Sequence, residues 1–298
     1  TYFNPQQWLQ VLEQLSMMYQ KDKSKFLEYA SSLQEGMMQL EKFETINPKP
    51  DFDILKNAIA KWSALFDKTH GGLQRSPKFA MPVNLNFLMQ YGHVFNDTEV
   101  KKHVRLTLSK MYNGGIFDQI EGGFARYSTD NRWEVPHFEK MLYDNAQLII
   151  VYAEAYKAYN DLTFKNAAKE TINFLKEKMY DNSGYYYSAI DADSDGEEGK
   201  FYFWTKAEIR AIINQLNLEN ITKDTAFDFA CRYFSISESK MENDEIVLQC
   251  NKDIFNDYNL RMLEPSQLQK FIDAIKSAMK IARDKRIHPV CDKKLITS

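Results

Sequence analysis

The spacing of hydrophobic residues along the chain predicts helices. In residues 5–44, apolar side chains recur at three- and four-residue steps, as at Trp8, Leu12 and Leu15, which is the period of an amphipathic helix. This spacing predicts one or two helices there. The proline-containing segment 46–50 breaks the pattern and predicts a linker.

Beyond the linker, one unit occurs three times. It consists of a helix, a glycine-bearing turn, an aromatic-rich loop and a second helix. Recurrence of such a unit is typical of toroids and solenoids, in which each helical hairpin buries one face against its neighbours. The predicted fold class is therefore all-α, built from helical hairpins. The predicted helices span about residues 51–68, 82–95, 97–112, 137–159, 162–180 and 205–216, with weaker ones at about 222–232 and 264–286.

Three long loops lie between the predicted helices, at about residues 69–81, 113–136 and 181–204. The second and third of these loops contain the signals of a short β-hairpin. In the second loop, residues 124–127 and 132–135 flank a turn-forming stretch. In the third loop, residues 185–188 and 201–204 flank the acidic stretch 191–199 in the same way. Helix packing does not require these hairpins, so we expect the loops to carry function.

Composition limits the classes of protein that fit. The chain has 298 residues, 44% of them hydrophobic and 27% charged, with a net charge of −3, as in a globular chain of one large or two modest domains. Charges of both signs are mixed, so no basic stripe predicts nucleic-acid binding. No apolar run approaches the roughly 20 residues of a membrane span, and no signal peptide begins the chain. Three widely spaced cysteines predict neither disulfides nor zinc, and a cytoplasmic setting is expected.

The densest candidate chemistry lies in residues 122–145, GGFARYSTDNRWEVPHFEKMLYDN. The proline before His137 suits the first position of a helix, which predicts His137 at the positive end of the helix dipole, neutral and able to accept a proton. Helical spacing places Lys140 and Asp144 on the face of His137 and predicts an ion pair between them. The alternative is that His137 only caps and packs, while Glu139 compensates the dipole.

The acidic stretch 191–199 has three interpretations. Asp191, Asp193 and Asp195 match the start of an EF-hand calcium loop, but the twelfth position is Tyr202 rather than glutamate and the flanks resemble strands. The plain alternative is a solvated acidic turn. The third is a pair of carboxylates that reach into a pocket, where two acids about 5–10 Å apart perform general acid–base chemistry on a sugar.

Aromatic residues cluster where the loops join the helices, and aromatic faces suit the C–H faces of sugars. Most of these rings are expected to fill the core. Trp133 lies between Arg132 and Glu134 in a polar loop and is the expected exception. In the first loop, Lys78 offers a cation suited to a carboxylate or phosphate. The paired glycines do not fit a phosphate-binding or dinucleotide-binding fingerprint and are interpreted as turns.

Four segments together resemble a known family: GGLQRSPKFAMP, GGFARYSTDNRWEVPHFEKMLYDNAQL, DADSDGEEGKFYFWTKAEI and DKRIHPVCDKKLITS. Over nearly the whole chain the sequence is similar to the thioredoxin-like proteins that include the spermatogenesis-associated thioredoxin-like protein. The resemblance implies a thioredoxin-like domain followed by an (α/α)6 toroid similar to N-acylglucosamine 2-epimerase and six-hairpin glycosidases. By this resemblance, residues 1–46 are the helical tail of the first domain and residues 47–298 are a partial toroid.

The residues and the resemblance together select a candidate site. In toroids of this kind, the loops that enter the inner helices line a funnel. The candidates for proton transfer are His137, Glu139, Asp144, Asp191 and Asp193. The candidates for ligand binding are Lys78, Phe79, Arg126, Trp133, Tyr143 and Asn145.

Two functions of different classes follow. The first is a carbohydrate-active enzyme, either an isomerase or epimerase or a glycosidase, in which His137 accepts a proton and a carboxylate is its partner. The second is a non-catalytic toroid that binds a ligand or serves as a scaffold for a thioredoxin-like domain. Neither function calls for a metal or cofactor, and the expected partner is a small molecule such as a sugar. Exposed helix faces at the open edge of a partial toroid also predict a homo-oligomer.

Overall fold

The computed structural model describes residues 4–41, 51–218, 221–236, 244–251 and 265–295. The linker predicted at residues 46–50 lies outside the described residues. The chain divides into two compact units, Thr1–Ala58 and Ile59–Ser298. No helix in the described ranges combines the length and the apolar character needed to cross a bilayer.

The first unit contains two helices, α1 (Pro5–Lys21) and α2 (Lys23–Glu41), so two helices form where one or two were predicted. Helix α1 begins with a capping box, because Asn4 accepts a hydrogen bond from the Gln7 amide while the Gln7 side chain accepts one from the Asn4 amide. Proline follows at the first helical position. Helix α3 (Phe52–Ser63) crosses the boundary between the units.

Consecutive helices of the second unit pack as hairpins. Helix α4 packs on α5, α6 on α7 and α8 on α9, and α4 also packs beside α6. The sharp turns between partners are capped by side chains: Asp97 caps α5, and Asp161 caps α7. This architecture is the predicted all-α partial toroid. The helices are α4 (Pro82–Val94), α5 (Thr98–Asn113), α6 (Leu142–Tyr159), α7 (Leu162–Phe174), which continues as a π-helical turn over Leu175–Met179, α8 (Lys206–Gln215), α9 (Lys223–Tyr233) and α10 (Pro265–Arg283).

Short antiparallel strands occupy the loops that precede α4, α6 and α8, and a further strand follows α10. The first sheet has the order β1-β2-β3, the second β4-β5-β8, and β6 pairs with β7. The strands are β1 (Lys78–Phe79), β2 (Tyr127–Ser128), β3 (Pro136–His137), β4 (Lys140–Met141), β5 (Tyr187–Ile190), β6 (Asp193–Ser194), β7 (Glu197–Glu198) and β8 (Cys291–Leu295).

A hairpin forms in the second loop, as predicted, but it pairs residues 127–128 of β2 with 136–137 of β3 rather than the predicted arms 124–127 and 132–135. The pairing predicted in the third loop is wrong, because residues 201–204 do not pair with β5. Asp195 and Gly196 both have positive φ, 54° and 77°, as a tight two-residue hairpin turn requires. The tight turn pairs β6 with β7, and β5 pairs with β4 and β8 instead.

Three apolar clusters form the core of the described part of the second unit. One is built from residues between 59 and 168, another from residues between 204 and 279, and a smaller one from Phe174, Leu175, Met179 and Ile190. A buried ionic cluster lies beside them: Asp118 binds Lys140 at 2.9 Å and both terminal nitrogens of Arg283, and Glu121 also binds Arg283, at 2.8 Å. These contacts hold the end of α10 against the second loop.

Candidate functional site

Three loops that are far apart in sequence meet before the helices α4, α6 and α8. Strand β1 of the first loop pairs with β2 of the second, and β4 of the second pairs with β5 of the third. A side-chain contact adds to this arrangement, because Nδ1 of His137 lies 2.7 Å from Oε1 of Glu198 in β7. The predicted convergence of the loops is therefore present in the structure.

A row of three rings crosses the outer face of the first sheet. The register places Phe79 opposite Tyr127 and Tyr127 opposite His137. The ring centroids of Phe79 and Tyr127 are 4.8 Å apart, and those of Tyr127 and His137 are 5.0 Å apart. Because strand residues alternate between faces, Lys78 and Ser128 point to the opposite face, where both are buried. The row leaves partly exposed aromatic surface at the site.

His137 lies in a strand rather than at the start of a helix. Helix α6 begins at Leu142, because residues 136–137 pair with β2 and residues 140–141 pair with β5. The prediction of a helix-dipole effect on His137 is therefore wrong. Instead, the imidazole stacks on Tyr127 and contacts the carboxylate of Glu198.

A second group of polar side chains lies at the end of the same sheet. Arg126 donates its backbone N–H to the carbonyl of Glu139, and its guanidinium lies 3.4 Å from the Glu139 carboxylate. Asp144, in the first turn of α6, has an Oδ2 atom that is buried without a hydrogen-bond partner among the described residues. Burial raises the pKa of Asp144 to about 6, an effect that Arg126 opposes and Glu139 reinforces. Asp144 is therefore suited to donate and accept protons near neutral pH.

The ion pair predicted between Lys140 and Asp144 does not form. Lys140 is buried in β4 and donates to Asp118 at 2.9 Å and to the carbonyl of Gly122 at 3.0 Å. Its ammonium also lies over the ring of Phe174. The helical face assumed for this pair does not exist at residue 140, because the chain is still extended there.

The ammonium group of Lys78 is used entirely in hydrogen bonds within the protein. Its ammonium donates to Asp67 at 2.7 Å and to the carbonyls of Gly71 and Asn131 at 2.8 and 2.7 Å. An ammonium has three hydrogens, so none is left for a ligand. The structure therefore places Lys78 under the sheet as a link between the first two loops.

Trp133 is fully buried, and the expectation of an exposed stacking ring is wrong. Both carboxylate oxygens of Asp130 accept backbone N–H groups, from Arg132, Glu134 and Val135, which curls the loop. Trp133 takes a φ of 70° and turns inward, where its indole N–H donates to the carbonyl of His70.

Asn145 also serves the scaffold. Its side-chain oxygen accepts from the backbone N–H of Phe124, and its nitrogen donates to the carbonyls of Phe124 and Met141. These bonds fix the second loop on the first turn of α6. Because the amide is fully used and fully buried, it has no free group for a ligand.

The remaining candidates are exposed. Tyr143 is 39% exposed in the first turn of α6. Asp191 accepts from the backbone of Ala192, and Asp193 lies opposite Glu198 in the pair of β6 and β7. Within the described ranges, neither aspartate forms an ion pair with His137 or Arg126. Nothing in the sequence singled out Glu198, since it is one of five acids in the acidic stretch 191–199.

Helical hairpins whose connecting loops converge before successive helices define the chain as an α/α-toroid protein with a loop-lined site. Its sequence is 42% identical to spermatogenesis-associated protein 20 of Rattus norvegicus over 158 residues, which is 50% of this chain and 20% of the rat protein. It is 30% identical to the Homo sapiens protein of the same name over 258 residues, covering 80% of this chain and 33% of that protein.

An uncharacterised protein of Caenorhabditis elegans is 30% identical over 83% of this chain and 36% of its own length. The chain is thus a homologue of spermatogenesis-associated protein 20, which confirms the predicted resemblance, and it spans about a third or less of these curated relatives. No protein-family model matches the chain.

Two of the solved structures to which this one is similar are sugar-processing enzymes. A sugar epimerase from a ruminal bacterium covers 80% of this chain and 73% of its own, with a TM-score of 0.41 and 13% identity. An unsaturated glucuronyl hydrolase from Bacillus sp. GL1 covers 79% of this chain and 57% of its own, with a TM-score of 0.39 and 12% identity. At such scores, the likeness carries no conclusion about activity.

Proposed function

We propose that the second unit binds a sugar or a similar polyhydroxylated small molecule in front of the first sheet. The ring row of Phe79, Tyr127 and His137 supports this proposal, because partly exposed aromatic faces suit the C–H faces of a sugar ring. Arg126 and Glu139, beside the row, offer charged hydrogen-bonding groups to hydroxyls.

We further propose that the site transfers protons to and from this ligand. The carrying observation is Asp144, whose buried, unpartnered oxygen and raised pKa leave a carboxyl able to change protonation near neutral pH. Glu139, which pairs with Arg126, is the second carboxylate, and His137 is the candidate base. A protonated acid beside an ionised one suits glycoside hydrolysis, and an imidazole base suits isomerisation or epimerisation.

The experiment has a binding stage and a turnover stage. Thermal unfolding of the full chain is followed with neutral sugars, amino sugars, uronates and sugar phosphates, since a ligand that binds only the folded state raises Tm. Sugars that raise Tm are then incubated with the protein, and products are followed by NMR. We expect a Tm rise with at least one class and slow conversion of that sugar.

Substitutions test which side chains transfer protons and which bind the sugar. Asp144→Asn is expected to lower turnover by about 10²- to 10⁴-fold, as for loss of a general acid or base, with the Tm rise preserved. Tyr127→Ala is expected to remove the Tm rise itself. Lys157→Ala, on the exposed surface of α6, is the control and should change neither. Unchanged turnover in Asp144→Asn overturns the acid–base assignment.

The second candidate function is ligand binding without catalysis, in support of a thioredoxin-like domain. The side chains of Lys78, Trp133 and Asn145 use their hydrogen-bonding groups within the protein. Much of the loop motif is therefore structural, which favours this second candidate. A Tm rise with a sugar, no conversion and no effect of Asp144→Asn would support this function instead.

A further inference from the structure

We propose that Glu198 is a positioning residue: its carboxylate fixes which nitrogen of His137 carries the proton and leaves Nε2 as the proton acceptor. This inference deepens the proposed function and rests on it. None of the sequence motifs predicted the contact, because the two residues lie in different loops and come together only in the folded second unit.

The geometry determines the tautomer. Oε1 of Glu198 lies 2.7 Å from Nδ1 of His137. An ionised carboxylate can only accept a hydrogen bond, so Nδ1 is the donor. In a neutral imidazole one nitrogen donates and the other accepts. In the neutral form Nε2 therefore keeps its lone pair, and it has no hydrogen-bond partner in the part of the chain that the structure describes.

The orientation of the ring is fixed from a second direction. Tyr127 stacks on the imidazole with an angle of 19° between the ring planes, so the stacking sets the plane of the ring while Glu198 sets its rotation within that plane. The His137 side chain is 29% exposed. Two constraints on one side chain leave a single orientation in which Nε2 is presented to a ligand on the ring row.

The third loop is built to place Glu198 at this point. The tight turn at Asp195 and Gly196 sets the register of β6 and β7, in which Glu198 lies opposite Asp193. The next residue, Gly199, takes a φ of 78° and lies against Phe138, so close that a Cβ atom would stand 2.4 Å from the ring. Because Phe138 follows His137 in sequence, this close approach brings Glu198 to His137.

Stability alone does not account for the contact. The Glu198 side chain is 48% exposed, and contacts between exposed polar or charged side chains contribute little to stability. A contact of this kind changes the total stability little, but it is sufficient to select one of two tautomers. Orientation of an imidazole by a carboxylate on the opposite nitrogen is a general device for preparing a base.

The test measures the tautomer directly in the full chain. Long-range ¹H–¹⁵N NMR spectra distinguish protonated from unprotonated ring nitrogens, and the signals of His137 are assigned by their loss in His137→Gln. We expect a proton on Nδ1 in the unsubstituted chain. Glu198→Ala should abolish this preference, whereas Glu198→Gln should keep it, because an amide oxygen still accepts from Nδ1–H.

Glu197→Ala is the matched control. Glu197 is the neighbouring acid on the other face of the hairpin, where it lies 3.5 Å from Lys200, and its loss should leave the His137 signals unchanged. A proton on Nε2 in the unsubstituted chain, or identical His137 spectra for Glu198→Ala and the unsubstituted chain, overturns the proposal.

Kinetics separate this inference from the proposed function. With a sugar that the protein converts, Glu198→Ala should lower kcat by about 10- to 100-fold, by analogy with histidines in metal sites that lose the partner orienting them, while KM stays within about twofold. Conversion that depends on Asp144 but not on Glu198 overturns only the inference. Failure of every sugar to bind or be converted overturns the proposed function.

Discussion

Asp144 is a carboxyl group placed where its charged form is disfavoured. One of its oxygens is buried without a partner, and burial outweighs the attraction of Arg126. An ordinary structural carboxylate would be paired or solvated. The arrangement makes protonation of this side chain adjustable by small changes nearby, such as a ligand that binds Arg126 or Glu139.

The raised pKa of Asp144 predicts a pH-dependent stability. Because the folded chain binds this proton more tightly than the unfolded chain, stability falls as pH rises from the ordinary value of 3.8 through about 6. Asp144→Asn removes the ionisation. The variant should therefore be more stable than the unsubstituted chain above the folded pKa, by about 1 kcal/mol once partial exposure is allowed for.

Urea denaturation at about pH 7.5 and about pH 4 measures this effect. The stability difference between Asp144→Asn and the unsubstituted chain should shrink at the lower pH, where the unsubstituted carboxyl is protonated in the folded state. A difference that is equal at both pH values would show that ionisation of Asp144 costs the fold nothing.

The burial and direction of single side chains were the hardest features to predict from sequence. Trp133 is surrounded by charged neighbours, and its burial depends on Asp130, which collects backbone N–H groups and curls the loop. Tyr127, by contrast, was recognisable as part of an aromatic cluster. Sequence identifies the chemical groups in a loop, but the direction of each side chain depends on turn geometry that residue spacing does not encode.

At the scale of elements, the hairpin of β6 and β7 depends on two glycines in different ways. Gly196 has a φ of 77° with open space around it, whereas Gly199 has a φ of 78° and contacts Phe138. A side chain at either position strains the backbone. Only at residue 199 would it also collide with a ring.

This pair gives a matched prediction. Gly196→Ala should cost about 1 kcal/mol, the strain of a left-handed residue. Gly199→Ala should cost about 1–3 kcal/mol more, the range for an added group in a packed site, and should separate Glu198 from His137. Urea denaturation measures the cost, and the His137 spectra report the separation. Equal costs for the two variants would show that the hairpin moves away without penalty.

Helices were predicted far better than strands, for a physical reason. The helices repeat a local hydrophobic period, so their existence follows from nearby residues. The strands are two to five residues long, and their partners lie in other loops. Residues 136–141 show the competition, since proline favoured a helix start there, but pairing with β2 and β5 keeps the chain extended until Leu142.

At the scale of the whole molecule, the buried ionic cluster joins the last helix to the second loop. Burial alone would raise the pKa of Asp118, but Arg283 and Lys140 outweigh it and hold the pKa well below its usual range. Exposed apolar residues remain elsewhere, such as Val94 on α4 and Ile150 on α6, at 70% and 56% exposure. Self-association through such faces stays a prediction.

Removing one charged member of this buried ionic cluster should lower the stability of the folded chain. Arg283→Met would leave the buried Asp118 paired with Lys140 and the buried Glu121 paired with Lys178, each with one cation fewer, and we expect a loss of up to about 3–5 kcal/mol. Lys102→Met, which removes an exposed ion pair with Glu99, should cost less than about 1 kcal/mol. Urea denaturation of both variants measures the difference.

If Arg283→Met does not fold, Arg283→Lys keeps the charge but loses the two-pronged contact with Asp118, and its smaller loss can be measured instead. Equal stabilities for Arg283→Lys and the unsubstituted chain would show that the fork geometry of arginine contributes nothing.

The contact between Arg283 and Asp118 spans 165 positions of the chain. During synthesis Asp118 and Glu121 emerge long before Arg283, so the ionic cluster stays incomplete until α10 has been made. The second loop can therefore reach its final arrangement only after nearly the whole second unit has left the ribosome. Formation of the candidate site thus depends on α10, since Lys140, one residue from Glu139, binds the Asp118 carboxylate that Arg283 also binds.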